Sequence, residues 1–315
     1  MLRFADIAEA RTRIAGHVHR TPMLSAERIG ARGGVRLWLK AELLQKTGSF
    51  KVRGALNALR QLTDEERRRG VVGVSAGNHA QALAWAARAV DSPCTVVMPA
   101  AAVQAKLDAT RGYGATVVQH QWGSAMFDKA RELADEHGYQ FIHPFDDVRV
   151  VAGQGTVGLE ILEDLAEAEA IVVPVGGGGL LSGIAVAAKQ LKPSLKVFGV
   201  EPEGAQALRR SLDAGAVTAI EPPRTIADGL AAPMTTALPF EIAQRYVDDV
   251  IVVTDDEIVQ AMREILASAK LLAEPAGAAG VAAVIAGKLP VAAGTRVVSV
   301  VSGGNVDMGT LKNLL

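Results

Sequence analysis

The stretch Val173-Pro174-Val175-Gly176-Gly177-Gly178-Gly179-Leu180-Leu181-Ser182-Gly183 decides the fold. A short apolar run comes before four glycines, and an Ala- and Leu-rich segment at helical spacing follows them. This order predicts a β-strand, a tight turn and an α-helix. Consecutive glycines let bare backbone N–H groups approach an anion at the start of a helix. The stretch therefore indicates an α/β protein with a phosphate-sized anion site at the end of a strand.

The same alternation recurs along the whole chain. Strands are predicted near residues 37–40, 70–75, 94–98, 116–120, 140–143, 170–175, 197–200, 250–253 and 297–301. Helical patterns occupy residues 78–89, 104–111, 124–137, 180–191 and 255–270. Apolar strands without alternation, separated by helices, are typical of parallel sheets covered on both faces.

About nine such strands seldom make one small domain. The prediction is therefore two open, mainly parallel sheets covered by helices. Residues 63–147 hold a compact series of strands and helices of their own. We expect them to form a small mobile domain inserted into a large domain of residues 1–62 and 148–315.

Composition excludes several classes of protein. The 315 residues include 33 Lys and Arg against 34 Asp and Glu, so no net field favours nucleic acid or an anionic membrane. The longest uncharged stretch is broken by Pro174 and the four glycines, which argues against a membrane helix. The single cysteine, Cys94, lies in an apolar run and is expected to be buried and inert. We expect a cytoplasmic protein, a small-molecule substrate and a symmetric homodimer.

A second stretch is Gln45-Lys46-Thr47-Gly48-Ser49-Phe50-Lys51-Val52-Arg53-Gly54-Ala55. Ser49 is a candidate N-cap, which would place Lys51 in the first turn of a helix. The helix dipole disfavours a lysine there, so its pKa should fall and its amine should become a better nucleophile. The alternative is an exposed surface lysine.

Two further stretches stand where predicted strands end. In Ser75-Ala76-Gly77-Asn78-His79, backbone N–H groups at the start of a helix suit a carboxylate; the alternative is that Ser75 or Asn78 only caps the helix. In Val301-Ser302-Gly303-Gly304-Asn305, Ser302 presents a hydroxyl at the carboxyl edge of the sheet, or belongs to a simple turn.

The glycine stretch also has a dinucleotide interpretation. Gly177-x-Gly179 leads to Ser182 where a third glycine is expected, and the next strand ends in Glu201, at about the distance of a ribose-binding acid. A single glycine motif is weak evidence, and this interpretation gives no account of the other stretches.

Taken together and in this order, the stretches resemble the serine/threonine dehydratase branch of the fold type II pyridoxal-phosphate enzymes, the tryptophan synthase β family. The resemblance runs from Arg20-Thr21-Pro22 to Asn305. It implies the cofactor pyridoxal 5′-phosphate and deamination of L-threonine or L-serine, by β-elimination, to 2-oxobutyrate or pyruvate plus ammonia. It also implies a short catabolic form without a regulatory domain.

The resemblance assigns roles to residues. Lys51 would carry the cofactor as a Schiff base and act as the base on Cα. The implied cofactor contacts are Phe50, Lys51, Asn78, Gly176, Gly177, Gly178, Gly179 and Ser302. Phe50 would pack beside the ring, Asn78 would bond its 3′-oxygen, the glycines would hold the phosphate and Ser302 would face the pyridine nitrogen. The implied substrate contacts are Ser75, Ala76, Gly77, Asn78 and His79.

Other functions stay open within and beyond this branch. Serine racemases carry a second serine where Ala76 stands, so racemisation is disfavoured. A 3-hydroxyaspartate dehydratase needs a cation for the second carboxylate, and the sequence does not place one. A pyridoxal-phosphate-binding regulatory protein has no need of Lys51 as a base. Some relatives bind a divalent cation after the strand holding Glu201, but Ala207 stands where an aspartate is expected, so no metal site is predicted.

The remaining conspicuous residues have plain interpretations. The histidines outside the motif (His17, His19, His120, His137 and His143) are predicted at the surface or in caps, and Trp38, Trp85 and Trp122 in packing. Glu274, before Pro275, is explained either by a helix start or by proximity to the cofactor. Asp228 and Gly229 are expected beside the ring without a chemical role.

Overall fold

Ten strands form two sheets in the computed structural model, which describes residues 1–315. The strands are β1 (Met23–Ser25), β2 (Arg36–Lys40), β3 (Val71–Val74), β4 (Cys94–Pro99), β5 (Thr116–His120), β6 (Gln140–Phe141), β7 (Ala170–Pro174), β8 (Lys196–Pro202), β9 (Asp249–Val253) and β10 (Arg296–Val300). The larger sheet has the order β1-β2-β10-β7-β8-β9, and the smaller β5-β4-β3-β6. Only the β1–β2 pair is antiparallel. The predicted fold class, two mainly parallel sheets, is confirmed.

Fourteen α-helices cover these sheets. They are α1 (Phe4–Ile14), α2 (Glu27–Arg32), α3 (Lys51–Leu59), α4 (Asp64–Arg69), α5 (Asn78–Ala89), α6 (Gln104–Gly112), α7 (Ser124–His137), α8 (Val148–Asp164), α9 (Gly179–Leu191), α10 (Ala207–Ala214), α11 (Ala237–Tyr246), α12 (Asp255–Glu264), α13 (Pro275–Ile285) and α14 (Met308–Leu314). None of them combines the length and the apolar character that crossing a bilayer requires.

Two differences between the observed and the predicted helices have a clear physical basis or position in the fold. The helix predicted over 255–270 ends at Glu264 and continues as a π-helical turn, Ile265–Ala269. Helix α8 has no counterpart among the predicted helices, because its glycines disfavour a helix locally. Packing explains them: a Cβ at Gly153 would lie 2.6 Å from the Cα of Gly54 in α3. Close approach to neighbouring helices therefore outweighs local propensity in α8.

Helix α3 joins the two parts of the molecule. Its apolar side chains, including Val52, Leu56 and Leu59, belong to the same core cluster as Val71 and Val96 of the smaller sheet. The smaller sheet is built entirely from strands between residues 71 and 141. The domain boundaries after residues 62 and 147 stay a prediction.

Candidate active site

A cavity of about 530 Å³ collects residues from the carboxyl ends of strands in both sheets. Strand β3 leads into Ser75, β7 into the glycine loop and β10 into Ser302. Parallel strands present such residues at one edge, where ligands of α/β proteins bind. Every predicted site residue lines this cavity: Phe50, Lys51, Ser75, Ala76, Gly77, Asn78, His79, Gly176, Gly177, Gly178, Gly179 and Ser302.

Lys51 is the first residue of α3, as predicted, but Ser49 does not cap the helix. The N-cap position is Phe50, without a side-chain hydrogen bond, and the buried Ser49 hydroxyl has no partner. Lys51 Nζ lies 3.3 Å from the carbonyl oxygen of Pro144 and 5.1 Å from the centre of the Phe50 ring. Burial lowers the pKa of Lys51 to about 8, although the charge of Glu274 acts in the opposite direction. The lowered pKa agrees with the predicted direction, and burial is its largest cause.

The segments around Lys51 and Ser302 are joined through their backbones. Phe50 N–H donates to the Ser302 carbonyl at 3.1 Å, and Ser49 and Gly303 form an antiparallel bridge. Ser302 is 4 % exposed, lines the cavity, and its hydroxyl makes no hydrogen bond to another protein group. Ser302 is therefore part of the site and not a residue of a remote C-terminal turn.

Asn78 is held at both ends of its amide. Its Nδ2 donates to Glu274 Oε1 at 2.6 Å, and its Oδ1 accepts from Asn305 Nδ2 at 2.8 Å. Asn305 Nδ2 also donates to the Thr47 carbonyl at 2.7 Å. Since an amide nitrogen carries two protons, Asn78 keeps one N–H for a ligand. The network excludes the interpretation of Asn78 as a simple helix cap.

Glu274 stands just before α13, but its carboxylate does not cap that helix. It lines the cavity, and burial raises its pKa to about 7, with a further contribution from Asp228. Hydrogen bonding from Asn78 partly offsets this shift. Glu274 is thus a buried carboxyl group of the site. The sequence had left open whether it starts a helix or lies near the cofactor.

His79 lines the cavity but turns its ring into the protein. Its Nε2 lies 3.4 Å from the Ile142 carbonyl, and its buried Nδ1 has no partner. Burial lowers the pKa of His79 to about 3. In the same stretch, Ser75 Oγ accepts a hydrogen bond from Gly77 N–H at 3.0 Å. The anion site predicted here therefore depends on backbone donors.

The glycine loop is packed closely on its protein side. Gly178 has a φ of +96°, and a Cβ at Gly177 would lie 2.3 Å from the Phe145 ring. Thr235 Oγ1 donates to the Gly177 carbonyl at 3.3 Å, whereas the buried hydroxyl of Thr236, which also lines the cavity, has no partner. Helix α9 begins at Gly179, so its N-terminal N–H groups and this unpaired hydroxyl suit a phosphate.

This donor set fits pyridoxal phosphate. An amine of lowered pKa, an anion site at a helix start, an amide with one free N–H and the unpaired hydroxyl of Thr236 share one cavity. The resemblance had singled out all of these groups except Thr236.

Glu201 has a structural role. Its carboxylate accepts hydrogen bonds from the backbone N–H groups of Leu208 and Arg209, both at 2.9 Å, and burial raises its pKa to about 7. No group of three or more His, Cys, Asp or Glu side chains is arranged to hold a metal ion. Cys94 is buried as predicted, and burial raises the pKa of its thiol to about 12.

Several cavity residues have no place in the predicted site: Lys106, Trp122, Met126, Phe127, Arg131, His143 and Phe145. Trp122 was predicted in packing but is 53 % exposed. His143 was predicted at the surface or in a cap; its Nδ1 does accept from the backbone N–H of Asp146 in the following turn, but the ring also lines the cavity among aromatic rings. The signal for His143 was its place at the end of a predicted strand, the same rule that identified Ser75 and Ser302.

Known proteins confirm what the geometry indicates. The pattern of the pyridoxal-phosphate dependent enzyme family matches residues 14–303. An L-threonine ammonia-lyase of Thermotoga maritima is 45 % identical over all of this chain and 78 % of its own length, and an L-threo-3-hydroxyaspartate ammonia-lyase of Saccharomyces cerevisiae is 40 % identical over 99 % and 96 %. The structure of maize serine racemase, 39 % identical, superposes with a TM-score of 0.95 over 99 % of this chain and 96 % of the other.

These likenesses cover nearly the whole chain, and they confirm the fold type II architecture and the cofactor that the sequence implied. The chain belongs to the family of pyridoxal-phosphate dependent enzymes.

Proposed function

We propose that this protein deaminates L-threonine and L-serine by β-elimination, giving 2-oxobutyrate or pyruvate and ammonia. The observation that carries the proposal is the Lys51 amine, which lies in one cavity with the glycine loop and the Ser75–His79 stretch. Its pKa of about 8 lets a large fraction be neutral near physiological pH, as a nucleophile and base requires. Similarity to the L-threonine ammonia-lyase of Thermotoga maritima supports the substrate.

We assign the cofactor contacts to the residues that line the cavity. Pyridoxal phosphate, when bound, supplies a ring that withdraws electrons from Cα. Lys51 holds it and later accepts the Cα proton at Nζ. Phe50 would pack beside the ring, Asn78 would donate its free N–H to the 3′-oxygen, and Ser302 would face the ring nitrogen. Phosphate contacts come from Gly176, Gly177, Gly178, Gly179 and the Thr236 hydroxyl.

The substrate carboxylate binds at the start of α5. Backbone N–H groups of Ala76, Asn78 and His79 are the donors, because the His79 ring faces the protein interior. Ser75 and Gly77 shape the same turn, since Ser75 N–H donates to the Val97 carbonyl and Gly77 N–H to Ser75 Oγ. This placement sets Cα between Lys51 and the small domain, which we define as residues 63–147 and expect to close over the substrate.

Ser302 favours elimination over transamination. A carboxylate beside the ring nitrogen would keep that nitrogen protonated, whereas a serine hydroxyl does not carry the charge to do so. Negative charge at Cα is then less stabilised, and loss of the β-hydroxyl becomes the easier outcome.

The two rival activities have weaker support. Ala76 lines the cavity without a proton to donate, which disfavours racemisation of serine. A 3-hydroxyaspartate lyase needs a free cation, but Lys106 is paired with Asp228, and Arg131 lies 3.1 Å from Asp128. A second carboxylate would have to displace one of these ion pairs.

We further propose a homodimer in the cytoplasm. Symmetric assembly is the common state of soluble enzymes, and the nearly balanced charge leaves no field toward a membrane surface. Sedimentation of the holoenzyme tests the dimer, and a monomeric mass at micromolar concentration would contradict it.

The function is tested by visible absorbance and 2-oxo acid assays on purified holoenzyme. We expect a yellow protein that releases 2-oxobutyrate from L-threonine and pyruvate from L-serine, with little release from L-threo-3-hydroxyaspartate. Lys51→Ala should abolish both colour chemistry and product, and Lys129→Ala, on the exposed face of α7, is the matched control. A yellow protein that forms no oxo acid from either hydroxy-amino acid would refute the proposed substrates.

A further inference from the structure

His143 is a polar side chain of the cavity that the proposed mechanism does not use. It follows β6 at the carboxyl edge of the smaller sheet. Its ring centre lies 5.4 Å from that of Phe127, tilted by 30°, and 4.7 Å from that of Phe145, at 86°. Together with Phe141, whose ring centre lies 6.0 Å away, three aromatic contacts fix the orientation of the imidazole.

The hydrogen bonds of the ring define its tautomer. Nδ1 accepts from the backbone N–H of Asp146 at 2.8 Å and lies 3.3 Å from the N–H of Phe145. Because a backbone N–H only donates, Nδ1 carries no proton, and the proton of the neutral ring sits on Nε2.

The ring is neutral at physiological pH. Burial lowers the pKa of His143 to about 4. The charged groups around it act in both directions: Asp146 and Asp147 raise this pKa, while Lys51 and Arg131 lower it. An imidazole in this state has one polar hydrogen, the one on Nε2.

Nothing in the protein accepts that hydrogen. Nε2 makes no hydrogen bond to another residue, and His143 lines the cavity. The neighbouring Pro144 carbonyl lies 3.3 Å from Lys51 Nζ, so the histidine stands beside the amine that acts on the substrate. A neutral donor in a defined tautomer thus lines the same cavity as the Lys51 amine.

We propose that His143 is a specificity-determining residue that donates a hydrogen bond from Nε2–H to the β-hydroxyl of the substrate. The inference rests on the proposed function, since it names how that site recognises a hydroxy-amino acid. No proton leaves the ring, because a neutral imidazole that lost its Nε2 proton would become an anion. The bond orients the hydroxyl and polarises its C–O bond.

This role predicts a dependence on the leaving group. Both L-serine and β-chloro-L-alanine give pyruvate by elimination, but chloride departs without a strong hydrogen-bond donor. In holoenzyme His143→Phe, which keeps an aromatic ring and removes the donor, kcat/KM for L-serine should fall roughly 10- to 100-fold. The value for β-chloro-L-alanine should change by less than about threefold.

Further variants separate recognition from structure. His143→Gln, which restores an N–H donor of similar reach, should recover part of the L-serine activity. His137→Phe, on the exposed end of α7, is the matched control and should leave both values unchanged. The pH profile of kcat/KM between pH 6 and 9 should keep its shape in His143→Phe, because the neutral ring does not titrate there.

The outcomes distinguish the two levels of the proposal. If the wild type eliminates neither substrate, the proposed function is wrong. If the wild type is active and His143→Phe loses both substrates equally, or shifts the pH profile, the recognition role is wrong. Should the variant fail to fold, ¹⁵N NMR of the wild-type holoenzyme still tests the premise: a proton on Nδ1, or a charged ring at pH 7, would overturn it.

Discussion

Helix α3 carries two buried cations that differ in their pairing: one has carboxylate partners and the other has none. Lys51 and Arg53 are two residues apart and so point to nearly opposite faces of the helix. Arg53 donates to Glu42 at 2.8 Å and to Glu160 at 2.6 Å, and Glu160 also binds Lys40 at 2.7 Å. Lys51 faces the cavity with a carbonyl oxygen at 3.3 Å as its only hydrogen-bond partner.

The difference lies in the partners, because both side chains are buried. Burial alone would lower the pKa of each cation. The carboxylates of Glu42 and Glu160 outweigh this for Arg53 and raise its pKa, whereas Lys51 falls to about 8. Paired charge fixes the helix in place, and unpaired charge gives an amine that is ready to lose its proton.

The largest effect should follow from removing the unpaired cation. Lys51→Met should reduce deamination by at least about 10³-fold, because it deletes the nucleophile and the base together. At pH 7 the variant apoprotein should be more stable than the wild-type apoprotein by about 2–3 kcal/mol, since the folded state binds the Lys51 proton less tightly than the unfolded chain does. Parallel kinetics and urea unfolding check both statements, and a strong loss of stability would mean that Lys51 is structural after all.

Removing the paired cation, Arg53, should reduce the stability of the fold. Arg53→Met leaves Glu42 and Glu160 as buried carboxylates without their arginine and should cost about 3–5 kcal/mol in the free energy of unfolding. Urea unfolding of the apoprotein measures this cost. An unfolding midpoint equal to that of the wild type would show that the ion pairs do not hold α3.

Glu274 lies near Lys51, and Glu160 is paired with Arg53. Their contributions to the free energy of unfolding should change with pH in opposite directions. The pKa of Glu274 is raised from 4.5 to about 7, so the folded state binds that proton more tightly, and its contribution is full below pH 4.5 and lost as pH rises through 7. For Glu160, burial raises the pKa, but the charges of Arg53 and Lys40 outweigh it and lower the pKa. Its contribution is therefore present above pH 4.5 and lost as pH falls.

Substitution by glutamine separates the two groups. Glu274→Gln should be more stable than the wild-type apoprotein by about 2–3 kcal/mol at pH 8.5 and nearly equal to it at pH 4. Glu160→Gln should be destabilised most at pH 7 and less at pH 4. Unfolding free energies across this range provide the measurement, and parallel pH profiles for both variants would contradict the assignment.

A smaller effect concerns the rate of cofactor attachment. Only the neutral amine reacts with an aldehyde, so the rate at which apoprotein gains visible absorbance with pyridoxal phosphate should rise with pH around a midpoint near 8. An exposed lysine would place that midpoint near 10.5. Stopped-flow absorbance distinguishes the two values, with Lys51→Met as the blank.

What the sequence could predict also differs between these regions. Lys51, Ser302 and the glycine loop were found because strand ends and helix starts are local patterns. Nothing in Lys46, Lys51 and Arg53 indicates which side chain will be paired, since Glu160 lies more than one hundred residues away. Glu274, Thr236 and His143 escaped assignment for the same reason: their roles come from tertiary contacts.

The backbone bridge between Ser49 and Gly303, with Asn305 bonded to Thr47 and Asn78, has a consequence for biogenesis. Lys51 is synthesised early, whereas Gly303 and Asn305 are among the last residues that the ribosome adds before Leu315. These contacts can therefore form only after the codon for Asn305 has been read, so completion of the cavity is a late event in the synthesis of each molecule.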